Sequence, residues 1–197
     1  MSNNTNNDNI GDSELITGLK YGDERAYRQL VRTYQAKLRN VAYGITLDIE
    51  ESDDIVQDVF LKVYMGIDKF KEESSLYTWL RRITVNESLN WIRKWKRRFR
   101  WQHQSLERED GSSLDIESEE AGPESSYNNK QIAGILKEGL DKLPEKARAV
   151  LVLKEVEGLS YEEIGDLLMI NKGTVSSRIF YAREKLRECL KGIEGED

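Results

Sequence analysis

Proline, cysteine and histidine are scarce in this 197-residue sequence, which holds two, one and one of them. The lone cysteine, Cys189, cannot close an intramolecular disulfide, which fits a reducing interior. The lone histidine, His103, sits in a basic tail with no cysteine partner nearby, and no glycine-rich phosphate loop follows a strand-like run. Runs that alternate apolar with polar residues are scarce, so strands are not expected. No stretch approaches the roughly 18 apolar residues of a membrane span. The start, "MSNNTNNDNIGD", has neither the basic region nor the apolar segment of a signal peptide. These absences disfavour an enzyme, a bound metal or cofactor and direct membrane insertion, and they read as a cytoplasmic protein.

What is present is charge, and it is segregated. Charged residues make up 34% of the chain against 38% hydrophobic, enough apolar material for modest helical cores but not one large one. The net charge of −6 conceals two basic modules. From Leu76 to His103 the bases are Arg81, Arg82, Arg93, Lys94, Lys96, Arg97, Arg98 and Arg100, against Glu87 alone. The closing stretch is basic again through Lys172, Arg178, Arg183, Lys185, Arg187 and Lys191. Between them "SLEREDGSSLDIESEEAGPESS" is acidic, with Arg108 its only base. Two basic modules flanking an acidic connector point to a polyanionic partner, nucleic acid foremost.

The connector, residues 105–128, is rich in glycine and serine and poor in large apolar residues, so it reads as a flexible acidic linker. It separates a helical domain of residues 12–104 from another of residues 129–191. In the first, Asp12 is placed to cap a helix that Gly22 ends, and Asp23 to cap the next. That second helix carries Tyr27, Leu30, Val31, Tyr34, Leu38, Val41 and Ala42 at three- and four-residue spacing. Ser52 is a plausible cap for a third helix with Ile55, Val56, Val59, Phe60, Val63 and Tyr64 on its buried side and Asp53, Asp54, Gln57, Asp58 and Lys62 on the other. After "FKEESS" the longest helix is expected over about Leu76 to Arg100, with Leu76, Leu80 and Ile83 as its core stripe.

In the second domain a helix is expected around Gln131 to Leu140. Pro144 suits the first turn of another, which Gly158 is placed to end. Ser160 and Glu163 have the spacing of a capping box, giving the helix Tyr161 to Leu168 a sharp start. Three residues, "MIN", then lead into a last helix, which describes a helix-turn-helix. Ile164, Leu167 and Leu168 pack the first of the pair, with Gly165 where a crossing helix approaches closely. Val175, Ile179, Ala182, Leu186 and Leu190 are the buried stripe of the second. At about 100° per residue, Ser177, Phe180 and Tyr181 point away from that stripe, with Arg178 on one flank and Ser176 and Arg183 on the other. Hydroxyls, guanidinium groups and an aromatic ring near a helix start are what a major groove accepts. The fold class is all-α: two small helical domains joined by a flexible acidic linker, the second containing the helix-turn-helix.

At this point the chain resembles a known family. "LPEKARAVLVLKEVEGLSYEEIGDLL" followed by "NKGTVSSRIFYAREKLRE" resembles region 4 of the extracytoplasmic-function group of bacterial sigma factors. "ESDDIVQDVFLKVYMGIDKF" resembles that group's region 2 signature, and "SSLYTWLRRITVNESLNWIRKWKRR" the adjoining segment that opens promoters. The resemblance implies a protein that binds core RNA polymerase and directs it to promoter DNA, with an anti-sigma factor as a candidate partner. By position, Asp54, Gln57, Asp58 and Phe60 match the segment that docks on the polymerase. Phe60 reads as core, so Asp53, Asp54, Gln57 and Asp58 form the candidate polymerase surface.

The stretch Lys71 to Trp79, with Asn86, matches the segment that captures the minus-ten element as a flipped single-stranded base. The physics agrees, because an extracted base needs stacking surfaces and hydrogen-bonding groups and its neighbours need cations. Lys71, Ser74, Ser75, Tyr77, Trp79, Asn86, Arg93, Lys94, Arg97 and Arg98 are the candidates, Trp79 reading equally well as a core wedge. Trp91 and Trp95 read as packing residues. Ser176, Ser177, Arg178, Phe180, Tyr181 and Arg183 match the helix that reads the minus-thirty-five element, and Lys172, Gly173 and Thr174 join them at its start. Met169 and Asn171 depart from the glycine or proline common in that turn, and Ser176 and Tyr181 stand where many relatives carry a base.

Two other classes compete. A helix-turn-helix repressor or response-regulator effector would explain the end of the chain but not its first domain, which shows neither alternating strands and helices nor a large apolar core. An RNA-binding or antitermination adaptor would bind single-stranded RNA without promoter dependence. The connector adds a further expectation. Glu107, Glu109, Asp110, Asp115, Glu117, Glu119, Glu120 and Glu124, tethered between two basic faces, read equally well as a competitor of DNA phosphates for those faces in the free protein or as a plain solubilising spacer.

Overall fold

The computed structural model describes the backbone of residues 5–100 and 133–191, and the side-chain surroundings of 12–98 and 133–190. The acidic connector, His103 and the expectation attached to the connector lie outside these residues. Among the described residues every regular element is helical. The chain falls into two compact units, Met1–Ile92 and Arg93–Asp197.

In the first unit α1 spans Thr5–Lys20, so Asp12 lies inside the helix and does not cap it. Its carboxylate instead accepts the Tyr34 hydroxyl at 2.7 Å, a tertiary use that local spacing cannot announce. Gly22, at φ 73°, turns the chain, and Asp23 caps α2 (Glu24–Thr46) by accepting the Arg25 N–H at 2.8 Å. The α2 stripe is buried as its periodicity predicts, from Leu30 through Tyr34 and Leu38 to Val41 and Ala42. Leu47, at φ 61°, ends α2.

The cap of α3 (Ile49–Gly66) is Asp48, which accepts the Glu51 N–H at 3.0 Å. Ser52 is not a cap: it is fully buried within the helix, where its hydroxyl donates back to the Asp48 carbonyl and meets Thr46 Oγ1 at 2.9 Å. Serine satisfies itself in either place, and a tertiary neighbour decided which. Ile55, Val56, Val59, Phe60 and Val63 face the core, but Tyr64 does not; it is 59% exposed and meets Tyr27 edge-on at 5.6 Å. A 3-10 turn (Ile67–Lys69) and residues 70–75 lead to α4 (Leu76–Arg100), whose first free N–H groups are met by Ser75, its hydroxyl accepting from Thr78 at 3.1 Å. Leu76 and Leu80 are fully buried and Ile83 packs against the same cluster, together with Leu15, Ile16 and Leu19 of α1. Each such leucine withdrawn from water contributes about 1.5–3 kcal/mol, so α1 is part of this core and no loose appendage.

The second unit contains α5 (residues 133–141), α6 (Glu145–Glu155), α7 (Tyr161–Leu168) and α8 (Lys172–Lys191). Pro144 stands one residue ahead of α6, at φ −54° and ψ 136°. Arg148 of α6 is buried, and its guanidinium donates to the Leu140 carbonyl at 3.1 Å and lies 3.7 Å from Asp141. Gly158, at φ 67°, closes the end of α6 and lets the Leu159 N–H reach the Leu153 carbonyl at 3.1 Å. The capping box on α7 forms as expected: the Ser160 hydroxyl accepts from Glu163 N–H, and the Glu163 carboxylate accepts from Ser160 N–H at 2.8 Å.

Candidate functional site

Three surfaces gather the residues singled out in the sequence. The first lies on α3. At about 100° per residue Asp54, Gln57, Asp58, Leu61 and Met65 fall on one face, opposite the buried stripe, and all five are exposed. Asp53 stands apart at the edge, where its carboxylate pairs with Arg39 at 3.1 Å. The exposure of Leu61 (52%) and Met65 (68%) was missed in the sequence, although both continue the register of the acids. Acidic groups beside exposed apolar side chains make a surface suited to a protein partner, since each apolar group gains by leaving water. Phe60 is core, as expected.

The second surface surrounds the loop 71–75. Its ends are pinned by apolar burial, at Phe70 on one side and Leu76 on the other, while Lys71, Glu72, Glu73, Ser74 and Ser75 are all exposed. Glu72 adopts the left-handed conformation at φ 59° and pairs with Lys20 of α1 at 2.6 Å. Trp79 packs on the core with its ring 5.1 Å from Phe70, so it is at least the wedge that its spacing allowed. Tyr77 stacks on Tyr34 at 5.8 Å with the planes 12° apart, and Lys37 and Arg81 lie 5.5 and 5.2 Å from its ring. Asn86 is exposed one face further along α4, and Arg93, Lys94, Arg97 and Arg98 are exposed on its second half. Arg81, counted among the bases of this module, is buried and not on the solvent face.

The third surface is the helix-turn-helix. Met169, at φ 54°, ends α7, and the Ile170 N–H donates to the Gly165 carbonyl at 2.9 Å. A Cβ on Gly165 would meet the Ile170 carbonyl oxygen at 2.8 Å and the backbone N of Lys172, the first residue of α8, at 4.0 Å, so the turn's backbone approaches this glycine most closely and the start of the next helix lies just behind it. Asn171 caps α8, its side-chain oxygen accepting the Thr174 N–H at 2.7 Å. Val175, Ile179 and Ala182 are buried and Leu186 is half-buried, whereas Leu190 is 39% exposed. Gly173, Ser176, Ser177, Phe180 and Tyr181 are exposed, and Thr174 and Arg178 half-buried.

Two cations of this face are already engaged. Lys172 pairs with Glu162 of α7, which holds that carboxyl below its ordinary range. Arg183 donates through Nε at 3.1 Å and Nη2 at 2.5 Å to Glu155 of α6, which pushes the guanidinium pKa up. Arg178 makes no ion pair with another described residue. These acidic partners lie on other helices, and no spacing rule along α8 could have revealed them.

Helical units of which the second ends in a capped helix-turn-helix with an exposed polar and aromatic face define a DNA-binding protein of the helix-turn-helix class. Comparison with known proteins gives the family. The model of Sigma-70 region 2 matches residues 30–98, and that of Sigma-70, region 4 matches residues 131–186. The RNA polymerase sigma-H factor of Pseudomonas aeruginosa is 35% identical over 187 residues, 92% of this chain and 95% of that protein. The ECF RNA polymerase sigma-E factor of Haemophilus influenzae is 33% identical over 189 residues, covering 93% and 97%. The sigma factor RpoE of Bartonella quintana, solved in complex with the anti-sigma factor NepR, shares the fold at a TM-score of 0.62 with 25% identity, covering 84% of this chain and 96% of that one. CnrH, solved with the cytosolic domain of CnrY, matches at 0.64 over 92% and 97%, with 24% identity. The chain belongs to the extracytoplasmic-function group of sigma factors. Its work is promoter-specific transcription initiation with core RNA polymerase, and it is not an enzyme. No described helix is long and apolar enough to cross a membrane.

Proposed function

We propose that the two units divide promoter recognition between them. Residues 12–104 dock on core polymerase through the α3 face of Asp54, Gln57 and Asp58, with Asp53 at its edge, and capture the minus-ten element. Capture uses the loop Lys71 to Ser75, the Tyr77 and Trp79 region and Asn86, while Arg93, Lys94, Arg97 and Arg98 attract phosphates. Residues 129–191 read the minus-thirty-five element through α8, with Lys172, Gly173 and Thr174 at the helix start near the backbone and Ser176, Ser177, Arg178, Phe180, Tyr181 and Arg183 towards the bases. Residues 105–128 serve as the acidic tether. The site of action is the cytoplasm, and the complex of Bartonella RpoE with the anti-sigma factor NepR supports an anti-sigma factor as a further partner.

The observation that carries this reading is the exposure pattern of α8: an Asn-capped start, a fully buried Val175–Ile179–Ala182 stripe, and Ser177, Phe180 and Tyr181 facing solvent. The test is to mix the purified protein with core polymerase and map transcripts from a genomic promoter library. New start sites sharing two spaced elements are expected, with α8 substitutions changing the upstream one and loop substitutions the downstream one. Transcripts identical to those of core polymerase alone would overturn the reading.

A further inference from the structure

The helix α1 lies ahead of residues 30–98, the part of the chain that the region 2 family model matches, yet it reaches the loop 71–75 along two separate routes. At its C-terminal end Lys20 holds Glu72 in an ion pair of 2.6 Å, bridging 52 residues of sequence. In its middle, Asp12 accepts the Tyr34 hydroxyl at 2.7 Å, and Tyr34 in turn stacks on Tyr77, in the first turn of the helix that follows the loop. Between these two tethers Leu15, Ile16 and Leu19 are buried in the cluster that also contains Ile67, Phe70 and Leu76, the residues that pin the loop's two ends. Glu72 needs such support more than its neighbours do. A residue other than glycine enters the left-handed region only at a cost, and does so persistently only where its surroundings hold it there.

We propose that α1 is a positioning element for the minus-ten reading loop. Lys20, through Glu72, and Asp12, through Tyr34 and Tyr77, set the loop geometry in which Lys71, Ser74 and Ser75 meet the extruded base. The proposal rests on the assignment of this loop to the minus-ten element. Neither Lys20 nor Asp12 touches DNA in this scheme; each acts through the residue it holds. Because both partners of the Lys20–Glu72 pair are partly exposed, its effect falls as salt is raised.

The experiment uses the full chain with core polymerase on promoters carrying every single-base change in the minus-ten element, read as open-complex formation. Lys20→Ala and Asp12→Ala are expected to flatten base discrimination by several-fold at low salt, with core-polymerase affinity unchanged. The charge-exchanged double variant Lys20→Glu with Glu72→Lys is expected to recover most of that discrimination, and an unchanged thermal unfolding midpoint in Lys20→Ala distinguishes positioning from a role in bulk stability alone. Lys71→Ala and Ser74→Ala in parallel test the underlying assignment. If they change minus-ten preference while Lys20→Ala and Asp12→Ala leave the profile as in the parent, the brace is refuted and the assignment stands. If none of the four alters the profile, the assignment falls and the brace with it.

Discussion

Arg178 and Arg183 look equivalent along the sequence, and their surroundings separate them. Arg183 gives two donors to Glu155, whereas Arg178 has no charged partner among the described residues. Arg178 is therefore the guanidinium with its fork available to a base edge. Arg178→Ala should cost about 1–3 kcal/mol at the cognate minus-thirty-five element and relax preference at one base pair, as read by competition binding against single-base variants. A uniform loss over all sequences with a shallower salt dependence would instead make it a phosphate contact. Gly165 is the other position where a single atom decides. A methyl group there meets the Ile170 carbonyl at 2.8 Å, so the turn must move. Gly165→Ala should destabilise the second unit by about 1–3 kcal/mol, visible as a lower-melting transition in calorimetry of the full chain.

At the scale of elements, the exposed face of α3 makes the clearest prediction. Replacing Asp54, Gln57 and Asp58 together by alanine removes no buried side chain, so helicity should persist while co-purification with core polymerase is lost; retained co-purification would refute that docking face. The elements also show what was legible beforehand. The α2 stripe and the α7 capping box could be read because both are local: one is a repeat of three and four, the other a hydroxyl three residues before a carboxylate. Ser52 and Asp12 were misread because serine and aspartate signal a cap whenever they precede an apolar run, and only a tertiary partner, Thr46 for one and Tyr34 for the other, turns them to another use. Tyr64 sits at the margin of the α3 stripe, where one position decides between core and solvent. Arg81 is buried although it belongs to a basic run, because a cation in such a run carries no mark that other side chains will cover it. The candidate surfaces were thus legible as faces, whereas the pairings that engage them (Asp53 with Arg39, Lys172 with Glu162, Arg183 with Glu155) were not.

At the scale of the whole molecule, the two units have separate cores, one built on Leu30, Leu38 and Val59 and the other on Leu143, Leu151 and Ala182. Substitutions in one should leave the packing of the other unaltered. Lys20→Ala and Arg178→Ala should therefore combine additively in the free energy of promoter-complex formation, to within about 0.3–0.5 kcal/mol. A larger coupling, measured by a double-mutant cycle on one promoter, would show that the polymerase or the DNA transmits one unit's state to the other.

The division of α8 into a buried stripe and a bare face has a consequence for how such a protein changes over generations. Val175, Ile179 and Ala182 are buried in the unit's interior, whereas Ser176, Ser177 and Phe180 are exposed. Substitutions at such exposed positions usually shift stability by no more than about 0.5 kcal/mol. On the proposed reading of α8, a lineage could thus exchange its promoter vocabulary one letter at a time while the folded scaffold stayed intact, and a duplicated copy could acquire a new set of target genes before losing its ability to fold.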